Sequence, residues 1–203
     1  MKNKNYKIGI TGSIGSGKSL FSKFLEVMNH SVLYADEIAK QLYVSNESVR
    51  KNIIKSFGAK AYDGNELNKK FLAEKIFSNE KKLIEINSII HPAVMEEIDK
   101  KIKILFRAKN IIFVEAALIY EADLESYFDF IVLISAPRNI RLQRKISSAD
   151  LSEEEFIRRE KFQISDDEKK KRADFTFVND KFPSDLKIKA EFLIKLLNGL
   201  IEV

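Results

Sequence analysis

The chain has 203 residues, 45% of them hydrophobic and 32% charged, enough for one sizeable core and too apolar for an intrinsically disordered chain. It contains no cysteine, so disulfides, thiolate metal sites and a cysteine nucleophile are excluded, which fits a cytoplasmic location. Its 35 Lys and Arg against 30 Asp and Glu give a formal net charge of +5, but the two signs interleave as on solvated helical faces, and no nucleic-acid partner is expected.

The basic start Met1-Lys2-Asn3-Lys4-Asn5 leads into no sustained apolar region, so no secretion signal is expected there. The first predicted strand is Lys7–Thr11. It feeds the run Gly12-Ser13-Ile14-Gly15-Ser16-Gly17-Lys18-Ser19, a complete P-loop. The residues that follow place Leu20, Phe21, Phe24, Leu25 and Met28 on one helical face. Strand, glycine turn and helix together are the context in which such a loop binds a nucleoside triphosphate. Within the nucleotide-binding stretch Gly12–Leu20, the backbone N–H groups of Gly15, Ser16, Gly17, Lys18, Ser19 and Leu20 are expected to wrap the phosphates, aided by the positive end of the helix. Lys18 reaches the β- and γ-phosphates, and Ser19 offers its hydroxyl to Mg²⁺. ATP and Mg²⁺ are therefore the expected cofactors.

A second strand, Ser31–Ala35, ends at Asp36, which opens a helix over Glu37–Tyr43. Between Ala35 and Asn110 only helices are predicted. Their stripes are Val49, Ile53, Ile54 and Phe57, then Phe71, Leu72, Ile76 and Phe77, then Leu83, Ile86 and Ile90, then Met95, Ile98, Ile102 and Leu105. His91-Pro92 reads as a turn between the last two, with Pro92 at a first helical position. Further core strands are predicted at Asn110–Ala116, Phe130–Ser135 and Phe175–Val178. The apolar patch Ile111–Tyr120 is broken by Glu115 and too short to span a bilayer, so no membrane partner is expected.

After Pro137 come Arg138, Arg141, Arg144 and Lys145, then a capping box at Ser152-Glu153-Glu154-Glu155. The run Asp166–Arg172 is almost wholly charged. A charged helical hairpin late in a P-loop fold predicts a lid over residues 138–172. A last helix carries Leu186, Leu193, Leu196, Leu197 and Leu200. The fold class is α/β: a P-loop NTPase fold with a mostly parallel five-stranded sheet covered by helices, a helical substrate-binding insertion and a helical lid. The 203 residues read as one kinase domain, with residues 1–44 and 109–203 as the nucleotide core and 45–108 as the insertion. A monomer or weak homo-oligomer is expected.

No Asn-Lys-x-Asp tetrapeptide of a guanine switch occurs, and the size does not suit a motor, so phosphoryl transfer to a small acceptor is the favoured chemistry. Ligands of open α/β sheets bind at the carboxyl ends of strands, which makes Asp36 a candidate base for the acceptor hydroxyl. It is equally a candidate helix N-cap. A kinase acting on a nucleoside or nucleotide and a non-catalytic nucleotide-binding regulator are the competing readings.

Several motifs, in order and at familiar distances, resemble the dephospho-CoA kinase family over nearly the whole chain. They are Ile10–Ser19, Ala35-Asp36-Glu37-Ile38-Ala39, Ile90-His91-Pro92, Glu115–Glu121, Leu142-Gln143-Arg144, Arg159 with Gln163, Arg172-Ala173-Asp174, and Asn179. The resemblance implies transfer of the γ-phosphate of ATP to the ribose 3′-hydroxyl of dephospho-coenzyme A, the small-molecule partner. Thr11 and Asp36, closing strands expected side by side, join Lys40 and Leu118 as expected acceptor-side residues. Departures from the family pattern are Lys40 for Arg, Glu115 for Asp, Ala117 for Pro, and Ser148 at a lid position commonly Arg, which leaves Arg144 as the lid candidate to neutralise charge during transfer. His91 is a signature residue to which the resemblance assigns no chemistry.

Overall fold

The computed structural model describes residues 4–77 and 79–201, with the side chains of Phe77 and Glu80 left out. Met1–Asn3 and the predicted stripe position Phe77, as a side chain, thus lie outside the described part. In chain order the elements begin with β1 (Tyr6–Thr11), α1 (Lys18–Val27) and β2 (Ser31–Tyr34). Next come α2 (Ala35–Ser45), α3 (Glu47–Phe57), β3 (Tyr62–Asp63), β4 (Glu66–Leu67), α4 (Lys69–Phe77) and α5 (Glu80–Leu105). The remainder is β5 (Ile111–Glu115), β6 (Phe130–Ser135), α6 (Arg138–Ser147), α7 (Glu153–Glu160), α8 (Asp166–Arg172), β7 (Phe175–Val178) and α9 (Pro183–Leu200). The chain forms two compact units, one of residues 1–33 with 105–203 and one of residues 34–104. The helical unit thus begins at Tyr34 and includes α2, earlier than the sequence division at 44/45.

The sheet unit is built on a five-stranded sheet in the order β2-β5-β1-β6-β7. The described registers, β1 with β5, β1 with β6 and β6 with β7, are all parallel. Such strands are buried on both faces and need unbroken apolar runs, which β5 and β6 provide with Ile112, Phe113 and Val114 and with Ile131 to Ile134. All five predicted core strands are present. Their order corrects one expectation: β1 and β2 are not side by side, because β5 lies between them. Central β1 is the strand that must be covered from both sides, and apolar β5 supplies one neighbour while β6 supplies the other. One cluster on the sheet joins Ile8, Ile10, Phe21 and Leu25 to Phe177, Leu186, Leu193 and Leu197. Leu200, expected on the packed stripe of the last helix, is 58% exposed.

The helical unit departs from the sequence reading at two places. Residues 80–105 form one helix, α5, with Pro92 inside it. Proline removes a single donor to the carbonyl four residues back, and here the stripe Ile86, Ile90, Val94, Ile98 and Ile102 is buried continuously across it. Burial of five large apolar side chains at about 1.5–3 kcal/mol each outweighs the roughly 3 kcal/mol helix cost of proline. The other departure is a small antiparallel hairpin of β3 and β4, pairing Tyr62 with Leu67 and Asp63 with Glu66, where no strand was expected. Its two-residue Gly64-Asn65 loop is a hairpin signal in the sequence, hidden by the shortness of the strands. Arg50 holds the turn through the Gly64 carbonyl at 2.6 Å and Asn65 at 3.2 Å.

Candidate active site

The P-loop begins where β1 ends. Thr11 is fully buried and its hydroxyl donates to the Ala117 carbonyl at 3.4 Å. Helix α1 then starts at Lys18, and its first bond runs from Phe21 N–H to the Gly17 carbonyl at 3.0 Å. The N–H groups of Lys18, Ser19 and Leu20 therefore precede any intrahelical partner, as at every helix start. Gly17 has φ 96°, and a Cβ there would stand 2.2 Å from Asn179 Nδ2, so only glycine fits. Two loop residues of the expected phosphate set use their N–H groups within the protein. Ser16 N–H donates to the Ser13 carbonyl at 3.0 Å, and Ile14 N–H donates to Gln163 Oε1 at 2.9 Å.

The side chains of the loop's end converge on Glu115, the last residue of β5, which is paired in register with Ile10 of β1. Lys18 Nζ lies 3.1 Å from Glu115 Oε1, and Ser19 Oγ donates to the same oxygen at 3.0 Å. Glu115 is 5% exposed, and its second oxygen is buried with no hydrogen-bond partner. A hydroxyl and a carboxylate with free lone pairs fit a hard cation that takes few protein oxygens and completes its shell with phosphates and water. Among the described residues no cluster of three or more His, Cys, Asp or Glu could hold a metal by itself. Ser19 and Glu115 are thus the residues that suit Mg²⁺.

The region after β6 closes on the other side of the loop. Arg144 Nη2 donates to Asn179 Oδ1 at 3.4 Å, and Asn179 Nδ2 donates to the Ser16 carbonyl at 2.8 Å. Arg144 Nη1 is buried without a partner. Burial lowers this guanidinium from its ordinary value, with the Asp180 carboxylate opposing. Ser13 Oγ donates to Asp166, while Arg141 donates to the Ile14 carbonyl at 3.2 Å. The charged run Asp166–Arg172 is not wholly solvated. Lys169 is fully buried and pairs with Glu121 at 2.9 Å, whose Oε1 also accepts Ile164 N–H at 3.0 Å. The α7 capping box is present as read, between Ser152 and Glu155.

The structure thus brings Lys18, Ser19 and Glu115 together, and links Arg144 to the loop through Asn179. Leu118 sits half-buried in the turn after β5. Asp36 and Lys40 belong to the helical unit. Asp36 is exposed and stands in the first turn of α2, whose N-cap is Tyr34 with no side-chain cap bond. This corrects the N-cap reading, since the helix starts at Ala35, two residues earlier than the expected Glu37. Lys40 pairs with exposed Glu37 at 2.7 Å. Sequence reasoning gave no role to Arg141, Asp166 or Lys169. Gln163 and Asn179 appeared only as elements of the family resemblance.

A family model described as dephospho-CoA kinase matches residues 6–184. The chain belongs to the dephospho-CoA kinase family. Membership makes it an ATP-dependent phosphotransferase of coenzyme A biosynthesis. It is 36% identical over 174 residues to the dephospho-CoA kinase of Bacteroides fragilis (strain YCH46), covering 86% of this chain and 84% of that one. A crystal structure from Thermus thermophilus matches with a TM-score of 0.82 and 29% identity, over 96% of this chain and 98% of that one. The dephospho-CoA kinase structure from Campylobacter jejuni matches with a TM-score of 0.70 and 25% identity, over 95% and 97%. Among the described residues, no helix of this kinase is long and apolar enough to cross a membrane.

Proposed function

We propose that this kinase moves the γ-phosphate of ATP to the ribose 3′-hydroxyl of dephospho-CoA at the P-loop end of the sheet, with Asp36 as base. The observation that carries the reading is the convergence of Lys18 and Ser19 on the buried Glu115 carboxylate, together with a buried Arg144 nitrogen that no protein group satisfies. Buried donors of this kind are costly unless a ligand supplies acceptors, and a triphosphate supplies them in number.

The N–H groups from Gly15 to Leu20, apart from that of Ser16, cradle the phosphates. Lys18, released from Glu115 to the incoming phosphate oxygens, stabilises the charge that develops on the transferring group. Ser19 and Glu115 would hold Mg²⁺, which would supply positive charge to the polyphosphate. Arg144 adds positive charge from the lid side. Asp36, two residues past the end of β2, accepts the proton of the 3′-hydroxyl as the new O–P bond forms and the bond to the β-phosphate oxygen breaks, leaving ADP. Thr11, Lys40 and Leu118 serve the acceptor side. The protein acts in the cytoplasm as a monomer or weak homo-oligomer, with no nucleic-acid or membrane partner.

The test is a coupled ADP-release assay with dephospho-CoA, nucleosides and nucleoside monophosphates as acceptors, with and without EDTA. Turnover with dephospho-CoA alone, abolished by EDTA, is expected. Turnover with a nucleoside or its monophosphate but none with dephospho-CoA overturns the assignment.

A further inference from the structure

A P-loop must hold its peptide planes in one orientation, because each plane carries a donor on one edge and an acceptor on the other. In a planar trans peptide the C=O and the following N–H point in opposite directions. Rotating the plane by half a turn would therefore replace a phosphate-binding N–H with a repelling carbonyl. The plane most exposed to this is Ile14–Gly15, since Gly15 has φ +79° and glycine opposes such a rotation least.

The structure surrounds that plane and the one before it with side chains from the segment after β6. Arg141 Nη1 donates to the Ile14 carbonyl at 3.2 Å. In the preceding plane, Gln163 Oε1 accepts Ile14 N–H at 2.9 Å, while the Ser13 carbonyl turns the other way and accepts Ser16 N–H at 3.0 Å. Arg141 is itself held in place. It is 6% exposed, its Nε donates to the Ala136 carbonyl at 3.1 Å, and its Nη2 pairs with Glu160 at 2.9 Å. Glu160 is in turn paired with Arg138 at 2.8 Å. The backbone of α6 adds a steric wall, with the Arg141 carbonyl 2.5 Å from where a Gly15 Cβ would be. A guanidinium suits this position because its rigid fork serves several acceptors at once.

We infer that Arg141 is a positioning residue for ATP: with Gln163 it locks the two peptide planes that flank Ile14, so that Gly15 N–H faces away from Arg141 toward the phosphates. The inference rests on the loop being the phosphate cradle. Arg141 touches no reacting atom. It acts through the backbone, so its removal weakens recognition of phosphate and leaves recognition of the rest of the nucleotide alone. Arg141 and Gln163 are then part of the loop's scaffold.

The experiment measures equilibrium binding of ATP and of adenosine to the full-length chain, with thermal unfolding as a check on folding. The wild-type preference for ATP over adenosine reports on the cradle, and its absence would sink the cradle reading itself. Arg141→Met weakens ATP binding about 10-fold, the scale of one hydrogen bond to a charged group, with adenosine affinity unchanged. Arg141→Lys keeps the charge beside Glu160 but loses the fork, and it weakens ATP binding in the same selective way. It decides the matter if the Met variant does not fold. Gln163→Leu adds less in the Arg141→Met background than it does alone, because both act on adjacent planes. Unchanged ATP affinity in the folded variants, equal weakening of ATP and adenosine, or strict additivity with Gln163→Leu each overturns the inference while leaving the cradle intact.

Discussion

The loop end of the sheet unit and the helical unit are held together by different physics. At the loop end of the sheet, polar groups pair with one another, Lys18 with Glu115, Lys169 with Glu121 and Asn179 with the Ser16 carbonyl, while Glu115 Oε2 and Arg144 Nη1 stay buried without a hydrogen bond. In the helical unit one apolar stripe runs along α5 from Ile86 to Ile102, and the charged groups of α2 stay at the surface, as the exposed pair Lys40–Glu37 shows. Apolar packing is non-directional and tolerates a proline in mid-helix. A buried polar network is directional, and a single missing partner leaves a desolvated group behind.

That contrast sets the order of expected effects. Lys169→Met should be the most damaging to stability, because it strands the Glu121 carboxylate opposite a removed charge. Breaking a buried pair costs about 3–5 kcal/mol, readable by chemical denaturation. A loss no larger than that of an exposed pair, such as Lys40→Ala, would erase the distinction between the two regions. Lys18→Ala should retain the fold and lose at least about 3 kcal/mol of transition-state stabilisation, the scale of one preorganised donor. Near-normal kcat/KM in that variant would remove Lys18 from the transfer step.

Asp36→Asn probes the helical unit's contribution to chemistry. With Tyr34 and not Asp36 at the cap, the stability change should be limited to the favourable placement of a carboxylate in a first helical turn, about 0.3–1 kcal/mol. The rate should fall about 100-fold at saturating dephospho-CoA, the low end for a positioned base because a loose transition state needs little deprotonation of the nucleophile. Unchanged kcat would leave the helical unit without a catalytic group.

The smallest effect concerns pH. Burial lowers His91, on α5, below its ordinary value of 6.5, and burial with nearby Lys109 lowers His30 in the sheet unit. A depressed folded-state value means that the neutral form is favoured by folding. Its stabilising contribution is full above 6.5 and is lost as pH falls through the lowered value. The melting temperature should therefore drop between about pH 7 and about pH 5. His91→Gln should flatten the part of that slope belonging to the helical unit, and an unaltered slope would assign it elsewhere.

Most of the architecture was legible in the chain because it obeys short-range rules. Buried parallel strands must be runs such as Ile131–Ile134, and a P-loop has its letters in sequence. The exceptions have identifiable causes. The β3–β4 hairpin is two residues per strand, below the length at which alternation registers. Pro92 is a local stop signal overridden by long-range burial. Lys169 lies in a run, Asp166–Arg172, with no apolar residue to signal burial, and only its partner Glu121, 48 positions away in the chain, explains it.

By itself the sequence determined the strands of the sheet, the nucleotide loop with Lys18 and Ser19, and the family to which the motifs belong, because each is written in neighbouring residues. Only the tertiary structure decided that β5 separates β1 from β2, so that Glu115 and not the end of β2 stands beside Thr11's strand. It also decided that Arg141, Gln163 and Asn179 hold the loop. Strand order and side-chain partners are relations between residues far apart in the chain, set by which surfaces bury one another, and no local pattern records them.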